Sequence, residues 1–132
     1  MSHERPLVLY IEDQSEMIDL IRLTLRGQGC EVIGAADGQE GLTLMRQRRP
    51  DVVLLDLMLP GSDGWAVREA MLADETLKPV PVILVTARAP TGAPTDNRPL
   101  PPADANVIKP FSLAEIRLAV QAVLQRAYPN IC

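Results

Sequence analysis

Three carboxylates in this sequence stand where an apolar run gives out: Glu12 and Asp13 follow Leu7–Ile11, and Asp56 follows Val52–Leu55. Apolar runs of this length read as strands covered on both faces. In an open α/β sheet the ligand site lies at the carboxyl ends of the strands, so the three acids share one edge if the two runs are neighbours. Carboxylates crowded together raise one another's pKa unless a cation joins them. An all-oxygen set with no His or Cys at hand suits a hard ion, and few protein ligands with retained waters suit Mg²⁺. Two further groups belong at the same edge. Thr86 follows the run Val82–Val85 and supplies a hydroxyl, and Lys109 follows Asn106–Ile108 and supplies an ammonium. Metal-binding acids, a nucleophilic carboxylate at Asp56, a hydroxyl and a compact cation are what phosphoryl transfer to an acyl oxygen demands, namely positioning and charge neutralisation.

The elements that must position these groups follow from periodicity. Strand-length runs at Leu7–Ile11, Glu31–Ala35, Val52–Leu55, Val82–Val85 and Asn106–Ile108 alternate with helical segments, the pattern of an α/β fold with a parallel sheet. A first helix over about Ser15–Gln28 puts Ile18, Ile21 and Leu25 on one stripe, with Gly29 as its stop. A second, over roughly Gln39–Arg48, follows Asp37-Gly38 and ends before Pro50. A third, near Trp65–Leu72, is entered through Pro60, Gly61, Asp63 and Gly64. The last begins at a capping box of Ser112 and Glu115 and buries Leu113, Ile116, Val120 and Val123/Leu124. The slot between the fourth and fifth strands breaks the rhythm. Prolines at 90, 94, 99, 101 and 102 oppose a helix across 89–102, so the fourth helix is expected to be short or replaced by a proline-rich loop. Strand order 2-1-3-4-5 brings the first and third strands side by side.

A chain of 132 residues, 47% hydrophobic and 23% charged, fits one globular domain. The expected extent is a single unit over 1–132, with its core at about 7–126 and a C-terminal tail at 127–132. A formal charge of -4 offers no footprint for phosphate backbones, which speaks against direct nucleic-acid binding. Arg46, Arg48 and Arg49 complement the negative pole of the second helix rather than forming a phosphate site. Cys30 and Cys132 read as a core thiol and a frayed end, without metal-ligand or disulfide spacing. No apolar stretch of signal-peptide length precedes Leu7 and no run could cross a bilayer, so no membrane partner and a cytoplasmic location are expected. Trp65 is expected to pack at the start of the third helix.

With these residues in place, the sequence resembles the receiver domain of bacterial two-component response regulators, of the stand-alone, chemotaxis-regulator-like kind, from Leu7 to about Arg126. The motifs are Tyr-Ile-Glu-Asp at 10–13, Val-Leu-Leu-Asp-Leu-Met-Leu-Pro-Gly-Ser-Asp-Gly at 53–64, Val-Thr-Ala at 85–87 and Lys-Pro-Phe at 109–111. The resemblance implies a flavodoxin-like doubly wound fold. It implies Mg²⁺ held by Glu12, Asp13, Asp56 and the backbone carbonyl of Met58. It makes Asp56 the phosphoacceptor, Thr86 the switch hydroxyl and Lys109 the phosphate-contacting ammonium. Ala87 would leave the site open, and Lys109-Pro110 would be a cis peptide. The implied partners are a sensor histidine kinase or phosphotransfer protein upstream and an unknown protein downstream. The chain would not be an enzyme in its own right, though it would take part in its own phosphorylation and dephosphorylation.

Two departures bear on output. Asn106 stands where the family usually has an aromatic switch residue, and the proline-rich stretch replaces a helix that relatives present to partners. These place the structural response in the 87–104 segment and leave an alternative function, a pseudo-receiver that binds protein independently of phosphorylation. A haloacid-dehalogenase type of phosphatase is disfavoured because Met58, not an acid, stands two residues after Asp56. Nucleotide or flavin binding is disfavoured because Glu12-Asp13-Gln14 would repel phosphates.

Overall fold

Period-two alternation along the strands decides where each side chain goes, and it divides the interior into two cores. A computed structural model describes residues 5–59, 63–87 and 100–129. Its strands are β1 (Leu7–Ile11), β2 (Glu31–Ala35), β3 (Val52–Asp56), β4 (Val82–Ala87) and β5 (Ala105–Lys109), and its helices are α1 (Ser15–Arg26), α2 (Gly38–Arg48), α3 (Gly64–Ala73) and α4 (Leu113–Ala127). The sheet is parallel throughout, in the order β2-β1-β3-β4-β5. Val8, Tyr10, Val52, Leu54, Ile83 and Val107 pack against the buried stripes of α1 and α4. Leu9, Ile11, Val53, Leu55, Val82 and Leu84 pack against Met45 of α2 and Val67 and Met71 of α3. Helices cover both faces of β1, β3 and β4, which explains their uninterrupted aliphatic sequences. Cys30 is buried in the first core.

The elements fall where periodicity placed them, with ends moved by one or two residues. Asp56 closes β3 itself, and β4 runs on through Thr86 to Ala87. Helix α1 ends at Arg26, earlier than Gln28, because Cys30 N–H turns back to the Leu25 carbonyl at 3.1 Å. Gly29 still serves that exit: it has φ 82°, a left-handed conformation that a side chain would resist. The capping box at Ser112 and Glu115 is present, but Leu113, in the first turn of α4 and facing solvent, is exposed rather than buried, and the buried stripe is Ile116, Val120, Val123 and Leu124. The shift of β5 to include Ala105 and Lys109 is explained by pairing, since these residues lie opposite Ile83 and Ala87 in the register.

Two acids precede strands and bind the sheet together at its amino edge. The Asp51 carboxylate accepts from Leu7 N–H at 2.8 Å, and the Asp104 carboxylate accepts from Val82 N–H at 2.8 Å. Each thereby satisfies the first donor of a neighbouring strand. The expected loop over 89–102 reaches the described residues only at 100–102, which are neither helix nor strand; residues 89–99 lie outside them, as do Pro60, Gly61 and Cys132. Leu100 and Ala103 pack on the second core, and the Nε of buried Arg68 donates to the Pro102 carbonyl at 2.8 Å.

The turn from β3 into α3 passes close over its own backbone. A Cβ at Gly64 would lie 2.5 Å from Leu57 Cα and 2.9 Å from the Leu57 carbonyl oxygen. Gly64→Ala is therefore expected to cost about 1–3 kcal/mol in urea unfolding. Gly27→Ala, at φ -62° with only the Thr24 carbonyl oxygen at 3.6 Å, should be neutral or stabilising by up to about 1 kcal/mol.

Candidate functional site

In-register parallel pairing carries separated residues to one rim. Ile11 lies opposite Leu55 and Asp56 opposite Val85, so Glu12, one residue beyond β1, comes beside Asp56. Thr86 and Ala87 lie opposite Ile108 and Lys109, which brings the end of β5 to the same rim. One carboxylate oxygen from each of Glu12, Asp13 and Asp56 lies within 4.8 Å of the others. Glu12, Asp56 and Thr86 are buried, whereas Asp13 is exposed.

The ammonium of Lys109 reaches into this cluster. Its Nζ is 2.7 Å from Asp56 Oδ2 and 3.3 Å from Glu12 Oε1, so it bridges two carboxylates. The other oxygen of Asp56 accepts the Met58 N–H at 2.9 Å, while the Met58 side chain is turned outward and exposed. Glu12 Oε2 accepts the Gln14 N–H at 3.2 Å. The Lys109–Pro110 peptide is cis. Asn106 is exposed on the edge strand, pointing away from the first core that its neighbour Val107 enters.

Burial is the largest influence on these charges. It pushes the Glu12 carboxyl above its ordinary range, helped by a hydrogen bond with Asp13 and the charge of Asp56, and opposed by Gln14 N–H and Lys109. Burial works against the charge on Lys109, but contacts with Asp56 and Glu12 outweigh it and raise its pKa. Tyr10 is also part of the site, and sequence reasoning gave it no role. Its phenol, wholly buried on β1, donates to Glu12 Oε1 at 3.3 Å. Burial, then Glu12 and Asp56, hold that phenol well above the usual tyrosine range. The available signal was a polar-tipped ring in an aliphatic strand, two residues before an acid and hence on its side of the sheet.

Three carboxylates against one ammonium leave an excess of negative charge in a largely buried pocket. The donor set is entirely oxygen, which fits a hard divalent cation rather than a thiolate- or imidazole-binding metal. Elsewhere, Arg46 pairs with Asp74 at 3.5 Å and Arg48 with Glu31 at 3.6 Å, so these arginines serve separate surface contacts. Trp65 packs, partly buried, against the second core. Among the described residues no helix is long and apolar enough to cross a membrane.

Comparison with known proteins agrees with this geometry. The family described as response regulator receiver domain matches residues 8–121. The chain is 35% identical over 131 residues to the DNA-binding response regulator MtrA of Mycolicibacterium smegmatis, covering 96% of this chain and 54% of that protein. It is 36% identical over 126 residues to the transcriptional regulatory protein AfsQ1 of Streptomyces coelicolor, covering 92% and 52%. It thus spans about half the length of these curated relatives. In structure it resembles the CheY-like receiver domain protein of Methanospirillum hungatei, with TM-score 0.78 at 21% identity over 96% of this chain and 98% of that one. It also resembles the receiver domain of a histidine kinase from Syntrophus aciditrophicus, with TM-score 0.82 at 24% identity over 93% and 92%. At these identities the structural likeness speaks for the fold alone.

The raised Glu12 pKa sets a direction for stability. Its folded value lies above the ordinary 4.5, so the carboxyl favours the folded state below that pH and loses this contribution as pH rises through the folded value. Glu12→Gln should therefore raise the urea midpoint near pH 7.5 without divalent cations. The gain should shrink as pH falls through the folded value toward 4.5 and be essentially gone below it, where the natural side chain is neutral in both states.

Proposed function

This chain belongs to the response regulator receiver family, and we propose that it serves a phosphorelay by taking a phosphoryl group on Asp56. The observation that carries this is the Asp56 carboxylate at the end of β3, 2.7 Å from Lys109 Nζ and clustered with Glu12 and Asp13. Nothing favours the pseudo-receiver alternative, because the acids, the hydroxyl and the ammonium occupy one rim.

Glu12, Asp13, Asp56 and the Met58 carbonyl would hold Mg²⁺, which when bound supplies charge neutralisation for the incoming phosphoryl oxygens. The chain's own residues do the remaining positioning. Met58 N–H holds one oxygen of Asp56 and fixes the carboxylate plane. An oxygen of Asp56 forms the new bond to phosphorus as the bond from phosphorus to the donor breaks, and with a phosphohistidine donor the imidazole takes up a proton. Lys109, already beside Asp56, then pairs with a phosphoryl oxygen as a point charge. Thr86, on the neighbouring strand with small Ala87 after it, offers the hydroxyl that follows the phosphoryl group. Water attack on the acyl phosphate would return the free carboxylate.

The chain is a signalling domain, and as a phosphoacceptor it would not be an independent enzyme. The donor would be a sensor histidine kinase or phosphotransfer protein in the cytoplasm. The curated relatives are named as DNA-binding or transcriptional regulators, whereas the charge of -4 supports a protein, not nucleic acid, as the direct contact of this receiver. Residues 7–126 would form the working unit, and exposed Asn106 replaces any buried aromatic switch.

Incubation with Mg²⁺ and a small-molecule phosphodonor, read by intact mass, tests the assignment. A single phosphoryl addition is expected that chelator prevents and Asp56→Asn abolishes; an unchanged addition in Asp56→Asn would refute it. Lys109→Ala should slow the addition by roughly 10²-fold, the scale for losing one charge-stabilising donor.

A further inference from the structure

Glu12 Oε1 has two donors of different character. Lys109 Nζ and the Tyr10 phenol both lie 3.3 Å from it, while Oε2 accepts Gln14 N–H at 3.2 Å. Tyr10 is fully buried in β1, whose backbone is paired on both sides, and its ring is packed within the first core. Lys109 ends an edge strand, its side chain is 32% exposed, and its shorter bond goes to Asp56. One donor is fixed by packing, and the other sits on a flexible four-carbon stem.

Resting on the reading of Asp56 as the phosphoacceptor, we propose that Tyr10 is a positioning residue: its phenol holds the Glu12 carboxylate in place when Lys109 turns to the phosphoryl group. A buried carboxylate oxygen that loses one donor is costly to leave bare unless another remains. The phenol is that donor, and strand alternation keeps it on Glu12's side of the sheet. A phenylalanine would fill the same volume and offer no hydrogen bond. Both bonds to Oε1 are long for their type and share one oxygen, which suits an oxygen that one donor will leave. Partners behind a metal-binding carboxylate orient it, and their loss typically lowers metal affinity about 10-fold or more.

The test is Tyr10→Phe, with Tyr10→Leu as a second apolar replacement. Mg²⁺ titration by calorimetry should show an affinity loss of about 10-fold. In metal-free protein the ¹³C carboxyl resonance of Glu12 should move, and move further when Lys109→Met is added. In a Glu12→Ala background, which removes the acceptor, Tyr10→Phe should change Mg²⁺ affinity no further. Wild-type Mg²⁺ affinity together with an unmoved Glu12 resonance overturns the proposal. An equal affinity loss in the Glu12→Ala background overturns it too, by assigning the effect to packing. If the unaltered chain gains no phosphoryl group the functional reading fails, and the metal-free Glu12 resonance still decides whether Tyr10 holds that carboxylate.

Discussion

A single ammonium set among carboxylates is the constraint on which this molecule turns. Lys109 lies 2.7 Å from Asp56 and 3.3 Å from Glu12, and it leaves the acid cluster under-neutralised. A hydrophobic protein interior does not tolerate that arrangement without more positive charge or a proton. The raised pKa values of Glu12 and Lys109 are two expressions of the same tension, one group resisting its charge and the other holding it more firmly. A pocket in that condition is prepared to bind a cation and then an anion with it, which is the order of events a phosphoryl acceptor needs.

The fold supports this tension by keeping it at one end of the sheet. Acids at the amino edge, Asp51 and Asp104, are satisfied by strand N–H groups at 2.8 Å. Acids at the carboxyl edge accept only from the chain that leaves the sheet, Met58 N–H for Asp56 and Gln14 N–H for Glu12, and turn their other oxygens to Lys109. Identical chemistry is therefore spent on cohesion at one edge and left available at the other. The tight passage of Gly64 over Leu57 belongs to the same design, since it lets α3 begin immediately beyond the Asp56 loop.

The far side of the sheet is organised differently. Arg68 is buried on α3, its Nε on the Pro102 carbonyl, and burial lowers its pKa against the partial support of Asp104. Arg126 of α4 adds a bond to the Asp104 carbonyl at 3.1 Å. Two arginines from opposite helical layers thus anchor the entry into β5, and Leu100 and Ala103 close over the second core. In this setting Asn106 lies exposed on the strand edge, so its amide needs no buried partner.

Read from the chain alone, the alternation of apolar runs and helical stripes determined the five strands and four helices of the described residues and the acids that end the strands. These are local properties, governed by side-chain period, capping and proline chemistry. The Asp56, Glu12 and Asp13 cluster was legible because strand ends in a parallel sheet share an edge once the order is set. Tertiary structure alone decided the lengths of the contacts, the Lys109 bridge between Asp56 and Glu12, and the place of Tyr10 behind Glu12. It also decided that Arg68 would be buried on the Pro102 carbonyl, although nothing in its local sequence marks it as interior. Such features depend on which strands become neighbours and in what register, and on the volume left between layers. They are pairings between residues 34 to 97 positions apart in some cases and two in another, and only packing in three dimensions brings those atoms within reach.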